Sequence, residues 1–524
     1  MVGSVKAKSV KTEVSFHPTY LLDLGKADYT KVLQLQKKLQ NLRIKGEVAD
    51  SFILVEHPPT ITLGKDSSLD HILAGEKWLS AHKFQVFQIE RGGDVTYHGP
   101  GQLVGYPILD LHEYQKDVHL LVCKLEEMLI RTLATFGIKA DRRIGFPGVW
   151  VGEKKIASLG LGVTHWVTIH GFALNVNPNL SHFKTIVPCG LSGVQMTSMA
   201  EELNRSISIS EAKNRIIEEM CALFQWEIRP PSSDVERLLT SDGLEAKAFR
   251  PSWLTVAAPL AGVMEEMEDV LAKGRLHTVC QGACCPNAGE CFALGTASFM
   301  ILGDICTRGC RFCAVSKGIP CLPDPTEAEA LAETVKSLNL KHAVVTSVTR
   351  DDLPDGGAGE FARVVRALRQ KTPKTSIELL IPDLAGSIQA LETIVAVKPE
   401  VIGHNIETVP DLYPHVQPGA NYERSLKVLA EVKRLDPTIK TKSGLMVGLG
   451  ETTQEVCCVM EDLRKAGCDY LTIGQYLQPT SKHLPVMGYI SPSMFAWYRE
   501  QALERGFERA ECGPLVRSSY HAQP

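Results

Sequence analysis

"GTASFMILGDICTRGCRFC", residues 295–313, runs from an apolar segment straight into three cysteines. The apolar part, 298–303, reads as a β-strand, and Cys306, Cys310 and Cys313 follow it in C-x3-C-x2-C spacing. Five further strand-like segments lie downstream, at 342–348, 376–382, 401–407, 439–448 and 470–476. Between them run the helical patterns 327–338, 360–371, 385–396, 422–435 and 454–467. Strand-then-helix repetition predicts a parallel sheet covered by helices. Six such units predict an α/β barrel, incomplete as a TIM barrel, rather than an open sheet. A loop at the carboxyl end of a barrel strand is where that fold places chemistry. Three thiolates there suit three irons of a cubane and leave the fourth iron open. Zinc would ask for paired C-x2-C knuckles or finger-spaced histidines, and neither is present.

Just upstream, "CQGACCPNAGEC" (280–291) adds four cysteines, so seven thiols fall within 34 residues. That is too many for one centre and odd for disulfides. Spacing alone leaves open whether Cys284 or Cys285 belongs to a second set with Cys280 and Cys291. Of the 15 cysteines only Cys123, Cys189 and Cys221 precede residue 250, which divides the chain. Cys321, Cys457, Cys458, Cys468 and Cys512 have no cluster spacing and read as ordinary residues. At 524 residues two domains are expected. Between the halves, 231–249 opens with proline and serine, lacks sustained periodicity, and reads as a linker joining domains at 13–230 and 250–524.

In the first half, 51–64 reads as strand, turn, strand, and 122–138 as a helix with Leu125, Met128, Leu129, Leu133 and Phe136 on one face. Residues 148–163 read as a hairpin and 167–177 as another strand. Hairpins with helices elsewhere predict an α+β domain. The net charge of −4 gives no sign of a nucleic-acid or anionic-membrane partner. No apolar run reaches the ~18 residues of a membrane span. The lysine-bearing start has no apolar secretory core, so a cytoplasmic protein is expected, with an organellar matrix as the alternative. Cysteines in such a compartment serve metal or catalysis rather than disulfides.

With Phe312 in its C-x-aromatic-C position, the 306–313 motif resembles the radical S-adenosylmethionine superfamily. The resemblance implies that the open iron chelates S-adenosylmethionine, whose reductive cleavage yields a radical able to take hydrogen from unactivated carbon. "TVCQGACCPNAGECF", "TSVTRDDLPDGG" (346–357), "HNIETVPDLYPHVQPGANYERSL" (404–426), "KTKSGLMVGLGE" (440–451) and "RSSYHA" (517–522) narrow this to lipoyl synthase over about 270 residues. That family's pattern selects Cys285 over Cys284, giving an auxiliary 4Fe-4S triad of Cys280, Cys285 and Cys291. It implies a serine ligand from "RSSYHA", Ser519 rather than Ser518, and a cluster sacrificed as the sulfur source. It also implies that Asp352, Asp355, Gly356 and Gly357, in the turn after the second strand, bind the cofactor.

The first half resembles octanoyltransferase, with the α+β fold of the biotin and lipoate protein ligases, through "EHPPTITLGK", "RGGDVTYHGPGQ", "KIASLGLGV", "HGFALNVN" and "PCGLSG". The resemblance implies Cys189 as nucleophile and Lys155 as its partner. Arg91, Gly92, Gly93, Asp94, Thr96, Tyr97, His98, Gly99, Ser158, Gly160, His170 and Gly171 would line or flank the acyl pocket. Lys65 stands where that family more often has arginine, which keeps charge but loses the guanidinium fork.

Together the resemblances imply consecutive steps of lipoate biosynthesis. Octanoyl passes from octanoyl-acyl carrier protein to a carrier-domain lysine, and sulfur then enters at carbons 6 and 8. The implied partners are lipoyl carrier domains of 2-oxoacid dehydrogenases and the glycine cleavage system, and an electron donor such as ferredoxin or flavodoxin. The implied cofactors are two 4Fe-4S clusters and S-adenosylmethionine. An ATP-dependent lipoate or biotin ligase is the alternative for the first half. A ferredoxin-like carrier or zinc module is the alternative for the second.

Overall fold

A computed structural model describes residues 16–65, 67–188, 193–247, 250–255, 276–278, 287, 290–291 and 296–520. The chain divides into two compact units, 1–251 and 252–524.

The first unit is built on one large mixed sheet. Its strands run in the spatial order Trp226–Arg229, His17–Lys26, Asp50–Glu56, Gln102–Ile108, Val167–Asn175, Lys154–Thr164, Phe146–Val151 and Asp141–Arg143. The first three are parallel and the rest antiparallel. The hairpin expected over 148–163 is present, with strands Phe146–Val151 and Lys154–Thr164. The two strands read at 51–64 form as Asp50–Glu56 and Thr60–Leu63 but enter different sheets. Thr60–Leu63 lies between Gln85–Gln88 and Val95–His98 in a separate three-stranded sheet.

Helix Tyr29–Ile44 starts where the Asp28 carboxylate accepts the amides of Thr30 and Lys31. It lays Val32, Leu35 and Leu39 against Leu22, Ile53 and Ile108. The helix expected at 122–138 runs Val118–Thr135 from an Asp117 cap. Leu125, Met128, Leu129 and Leu133 are fully buried, while Phe136 is its half-buried C-cap.

The stretch expected as a linker is structured. Ser232 caps helix Ser233–Ser241, whose Val235 and Leu239 enter the first unit's core. Lys38 pairs with Asp242 at 2.5 Å, and the Lys247 amide donates to Asp23 O. One short amphipathic helix offers too little periodicity to stand out after Pro-Pro-Ser-Ser, where a serine that looks like linker is the helix cap.

The second unit holds seven consecutive parallel strands: Thr296–Ile301, His342–Ser347, Ser376–Leu380, Val401–Gly403, Lys440–Val447, Tyr470–Gln475 and Arg509–Gly513. The connecting helices include Glu327–Ser337, Ala358–Lys371, Ile388–Val395, Tyr422–Leu435 and Thr453–Lys465. All six residues of Thr296–Ile301 are buried, as a strand covered on both faces requires. Phe299, Val345, Phe361, Leu368, Leu379 and Ile402 join sheet to helices in one cluster. Among the described residues nothing pairs Thr296–Ile301 with Arg509–Gly513, so the barrel is incomplete. Helix Pro492–Glu504 and the last strand, which the sequence reading passed over, add a sixth repeat's helix and a seventh strand.

Because Leu239 belongs to the first core, Leu239→Ala is expected to destabilise that unit by about 2–5 kcal/mol. Denaturant unfolding followed through first-unit tryptophans reads this; an unchanged midpoint would make the helix a mere connector.

Candidate functional site

In the first unit the two sheets enclose a cavity of about 240 Å³. Arg91, Gly93, Asp94, Thr96, His98, Lys155, Ser158, Gly160, His170 and Gly171 line it together with Tyr29, Tyr106, Phe146 and Phe172. Strand alternation sorts the expected residues. Thr96 and His98 face the cavity, while Tyr97 packs away from it with Phe84 and Phe183 and hydrogen-bonds His182 Nδ1 at 2.7 Å. Gly92 stands behind the wall, its amide donating to Leu161 O, and Gly99 approaches the Tyr97 ring. Neither Gly92, Tyr97 nor Gly99 lines the cavity.

The imidazoles here are neutral. Burial, then the neighbouring His57, pushes His98 down to about 3. Gln102 Nε2 donates to Tyr97 O and Asn175 Oδ1, which turns its oxygen toward His98. His98 Nδ1–H therefore donates to Gln102 Oε1 at 2.8 Å, and Nε2 keeps a lone pair. Burial, then Arg91, lowers His170 to about 4. His57, lowered by burial to about 4, donates from Nδ1 to Ala27 O and accepts from the Tyr106 hydroxyl. Arg91, at the cavity wall, is fastened by Thr62 O at 2.8 Å and Gly92 O at 3.1 Å.

Lys155 is 2% exposed, with its Nζ 5.5 Å from the centre of the Trp150 ring. Gly148 makes room for it: φ is +132°, and a Cβ would sit 2.4 Å from Lys155 Cε and 2.7 Å from Ala157 O. Cys189 lies outside the described residues. On one side of its segment the Val187 amide donates to His71 O at 2.8 Å. On the other, Gln195–Met196 pairs in parallel with Lys154–Lys155, and the Thr197 amide donates to Lys155 O at 3.0 Å. Lys65 is exposed and meets this region through its backbone, its amide donating to Arg91 O.

In the second unit Cys306, Cys310 and Cys313 are half-buried in the loop after the first barrel strand. Burial first, then Glu407 and the other two thiols, pushes Cys310 up to about 12; burial also raises Cys313. Such thiols ionise only beside strong positive charge, which a metal cluster supplies. No three His, Cys, Asp or Glu side chains among the described residues converge as a single metal ion requires. A cubane asks for something else, one thiolate on each of three irons, and the three cysteines of one loop fit it.

Charged neighbours hold that loop. Arg308 gives Asp351 hydrogen bonds of 2.8 and 2.7 Å and Asp383 one of 2.7 Å. Asp383, 2% exposed, also accepts from Arg424 Nε at 2.7 Å. Against the cost of its burial, the two guanidiniums keep the Asp383 carboxyl below the usual range. Phe312 packs on Val416, Leu449 and Tyr476.

The turn expected to bind the cofactor is internally engaged. Asp352 pairs with buried Arg350 at 2.9 Å. Asp355 accepts the amides of Gly357 and Gly359 at 2.9 and 2.7 Å, capping helix Ala358–Lys371. Gly356 and Gly357 adopt φ of +60° and +91°. The carboxylates thus shape the turn, and the Gly357 amide and carbonyl are themselves bonded within it, to Asp355 and to the amides of Glu360 and Phe361.

Of the auxiliary set, Cys280 and Cys285 lie outside the described residues, as does Cys284. Cys291 is half-buried, and its segment meets the terminal motif. Asn287 Nδ2 donates to Leu515 O at 2.6 Å, and the Tyr520 hydroxyl donates to the Glu290 carboxylate at 3.2 Å. Ser518 Oγ accepts from Asn405 Nδ2 at 3.3 Å; Ser519 is half-buried beside Tyr520.

Sequence reasoning missed Asn405 and Glu407, although it quoted their segment. Asn405 also donates to Glu407 Oε1 at 3.1 Å, linking the cysteine loop's acidic neighbour to the terminal serines. Burial, against this hydrogen bond, lifts the Glu407 carboxyl from 4.5 to about 7. Its backbone is left-handed, φ +64°. An acid at the end of a barrel strand was the available signal.

The Lipoyl protein ligase A/B catalytic domain model matches residues 28–221, and the Radical SAM superfamily model matches 300–463. A lipoyl synthase of Caldanaerobacter subterraneus is 55% identical over 273 residues, covering 52% of this chain and 95% of its own. One of Haemophilus influenzae is 53% identical over 275 residues, covering 52% and 86%. A solved structure of a bi-partite lipoate protein ligase and its E2 lipoyl domain from Thermoplasma acidophilum aligns with a TM-score of 0.35 at 15% identity, over 43% of this chain and 92% of that one.

In cluster-free protein, folded Glu407 keeps its proton to about pH 7 while the unfolded chain loses it near 4.5. The unfolded state binds fewer protons in that window, so this carboxyl makes stability fall as pH rises from 4.5 to 7 and not beyond. Urea midpoints across that range are expected to fall less steeply in Glu407→Gln; an identical slope would refute the assignment.

Proposed function

Since the chain belongs, through its C-terminal half, to the lipoyl synthase family, we propose that it makes lipoyl groups in two steps. The first unit transfers octanoyl from octanoyl-acyl carrier protein to a lysine of a lipoyl carrier domain. The second inserts sulfur at carbons 6 and 8 of that chain. The carrier domains are those of 2-oxoacid dehydrogenases and the glycine cleavage system. The observation that carries the acyl-transfer reading is buried Lys155 at the wall of a narrow cavity, with the chain leaving the Cys189 segment paired alongside it.

A thiol nucleophile needs its proton removed, and a lysine amine beside it can take that proton. Lys155 accepts from Cys189 as the sulfur attacks the octanoyl thioester, and returns the proton to the departing carrier thiolate. The eight-carbon chain lies along Phe146, Leu159 and Phe172, which remove its surface from water. Neutral His98 and His170 place no charge in that apolar space. The acceptor lysine then attacks the Cys189 thioester.

In the second unit Cys306, Cys310 and Cys313 hold the cluster that binds S-adenosylmethionine. Cys280, Cys285, Cys291 and Ser519 hold the auxiliary cluster that donates sulfur. Bound together, cluster and cofactor supply a radical able to take hydrogen from carbons 6 and 8. Arg308 and Asp383 orient the cysteine loop, and the turn that carries Gly356 and Gly357 would receive the cofactor. Ser518 is engaged by Asn405, which favours its neighbour Ser519 as the oxygen ligand. Ferredoxin or flavodoxin supplies the electrons.

Anaerobic incubation with octanoyl-acyl carrier protein, a lipoyl domain, dithionite and S-adenosylmethionine tests the whole scheme by the mass of the carrier. Cys189→Ala is expected to abolish octanoyl transfer yet leave sulfur insertion intact on pre-octanoylated carrier. Lys155→Met should slow transfer by ~10²–10⁴. Iron and sulfide should each approach about eight per chain, from two cubanes. A requirement for ATP would replace the first step with a ligase.

A further inference from the structure

The first unit has a second pocket, which shares no lining residue with the octanoyl cavity. It encloses about 630 Å³, within the ~300–1,000 Å³ typical of small-molecule sites. Lys26, Lys213, Lys247 and Arg250 line it, against two carboxylates, Asp23 and Glu56. The chain as a whole is acidic, at −4, so this basic excess is local.

The end of strand His17–Lys26 shapes this pocket. Its register against Asp50–Glu56 shifts between Asp23 and Lys26, where Gly25 adopts φ +59°. The Gly25 amide donates to Asp23 Oδ1 at 2.9 Å, and Lys213 Nζ reaches the same oxygen at 2.6 Å. The Lys247 amide donates to Asp23 O at 2.8 Å. The Lys247 side chain lies over bare Gly25, where a Cβ would stand 2.8 Å from Cε and 3.1 Å from Nζ. Glu56 is turned to the Gly101 amide, at 3.0 Å. Buried Lys213 thus has its charge answered by Asp23. Among the described residues, Lys26 and Lys247 have no ion pair or side-chain hydrogen bond, and neither do the Ser210 hydroxyl and the Asn214 amide of the same lining. Point charges with O–H and N–H donors suit a compact anion rich in acceptor oxygens. Lysine binds phosphate in this way, whereas planar carboxylates favour the arginine fork.

We propose that this pocket binds the phosphate group of a phosphate ester, with Lys26 and Lys247 as its cations and Ser210 and Asn214 as hydrogen-bond donors. Two sources share that chemistry: the phosphopantetheine arm that bears the thioester on an acyl carrier protein, and a free phosphorylated metabolite. Lys26 stands three residues before Tyr29, which lines the octanoyl cavity, so at most ~11 Å of chain separates them. Glu56 precedes His57, whose ring centre lies 6.0 Å from that of His98. The two spaces are therefore neighbours, as the arm requires. Phosphate binding itself stands without the acyl-transfer reading.

The test titrates the full chain with two phosphate esters and their phosphate-free counterparts: phosphopantetheine against pantetheine, and AMP against adenosine. Ligand proton relaxation reads all four. At least one ester is expected to bind, and neither phosphate-free counterpart. Because Lys26 and Lys247 are exposed, binding should weaken several-fold between about 0.05 and 0.5 M salt. Lys26→Gln with Lys247→Gln should cut it at least about 10-fold at an unchanged urea midpoint. Lys26→Arg with Lys247→Arg keeps the charge and should hold binding within about threefold. A KM for octanoyl-acyl carrier protein that rises in the glutamine variant assigns the phosphate to the arm; an unchanged KM assigns it to a free metabolite. Esters that fail to bind the unaltered protein, or that bind the glutamine variant equally well, overturn the proposal. Esters that bind a protein without transfer activity would sink the acyl-transfer reading and support this site by itself.

Discussion

Asp383 holds two guanidiniums with one buried carboxylate. Arg308 reaches it from the loop that carries the three cysteines, and Arg424 from helix Tyr422–Leu435. The position of that loop therefore depends on a buried carboxylate that both arginines help keep ionised. Removing one partner from an isolated buried pair costs about 3–5 kcal/mol; here the loss of one arginine is cushioned, because Asp383 keeps the other. The arrangement is a means of specification more than of stability. The loop has a short two-stranded ladder of its own, Ile305–Cys306 with Ser316–Lys317, and the ion pairs supply the orientation that so small a ladder does not.

The first unit applies the opposite electrostatics. Its cavity is lined by His98 and His170 near Arg91, with His57 behind His98, and burial keeps all three imidazoles uncharged. Each ring nitrogen of His57 and the Nδ1 of His98 has a defined partner, so the tautomers are set by the surrounding oxygens. Neutral rings add apolar wall for a long chain beside the charged Arg91 and Asp94. In one unit desolvation is overcome by paired charge; in the other it keeps the buried imidazoles neutral.

Much of this was legible beforehand. Six parallel strands with five of their helices followed from periodicity, because doubly covered strands are apolar throughout and their helices are amphipathic. The alternation in Val95–His98 was legible too, yet Tyr97 was assigned to the cavity on family pattern when its odd position sends it to the other face. Helix Ser233–Ser241 was hidden by its brevity, and strand Arg509–Gly513 by its polar composition. Asp352 and Asp355 show a different limit: an acid in a turn reads as a ligand donor, but local amides and a buried arginine claim it first. The Arg308–Asp383–Arg424 bridge joins three separate repeats, and no local pattern marks such a contact.

The Tyr520–Glu290 hydrogen bond joins residues 230 positions apart. Each intervening strand–helix repeat closes over a few dozen residues, whereas this contact needs nearly the whole unit to be in place. Cys291 thus has neighbours from the far end of the unit's chain. The two cysteine regions thus differ in reach: the three-cysteine loop is held by residues of the third and fourth repeats, and the Cys291 segment by residues near the end of the chain. The second cysteine region therefore draws on both ends of its unit, so a change at Tyr520 or Glu290 reaches the surroundings of Cys291 without touching the three-cysteine loop.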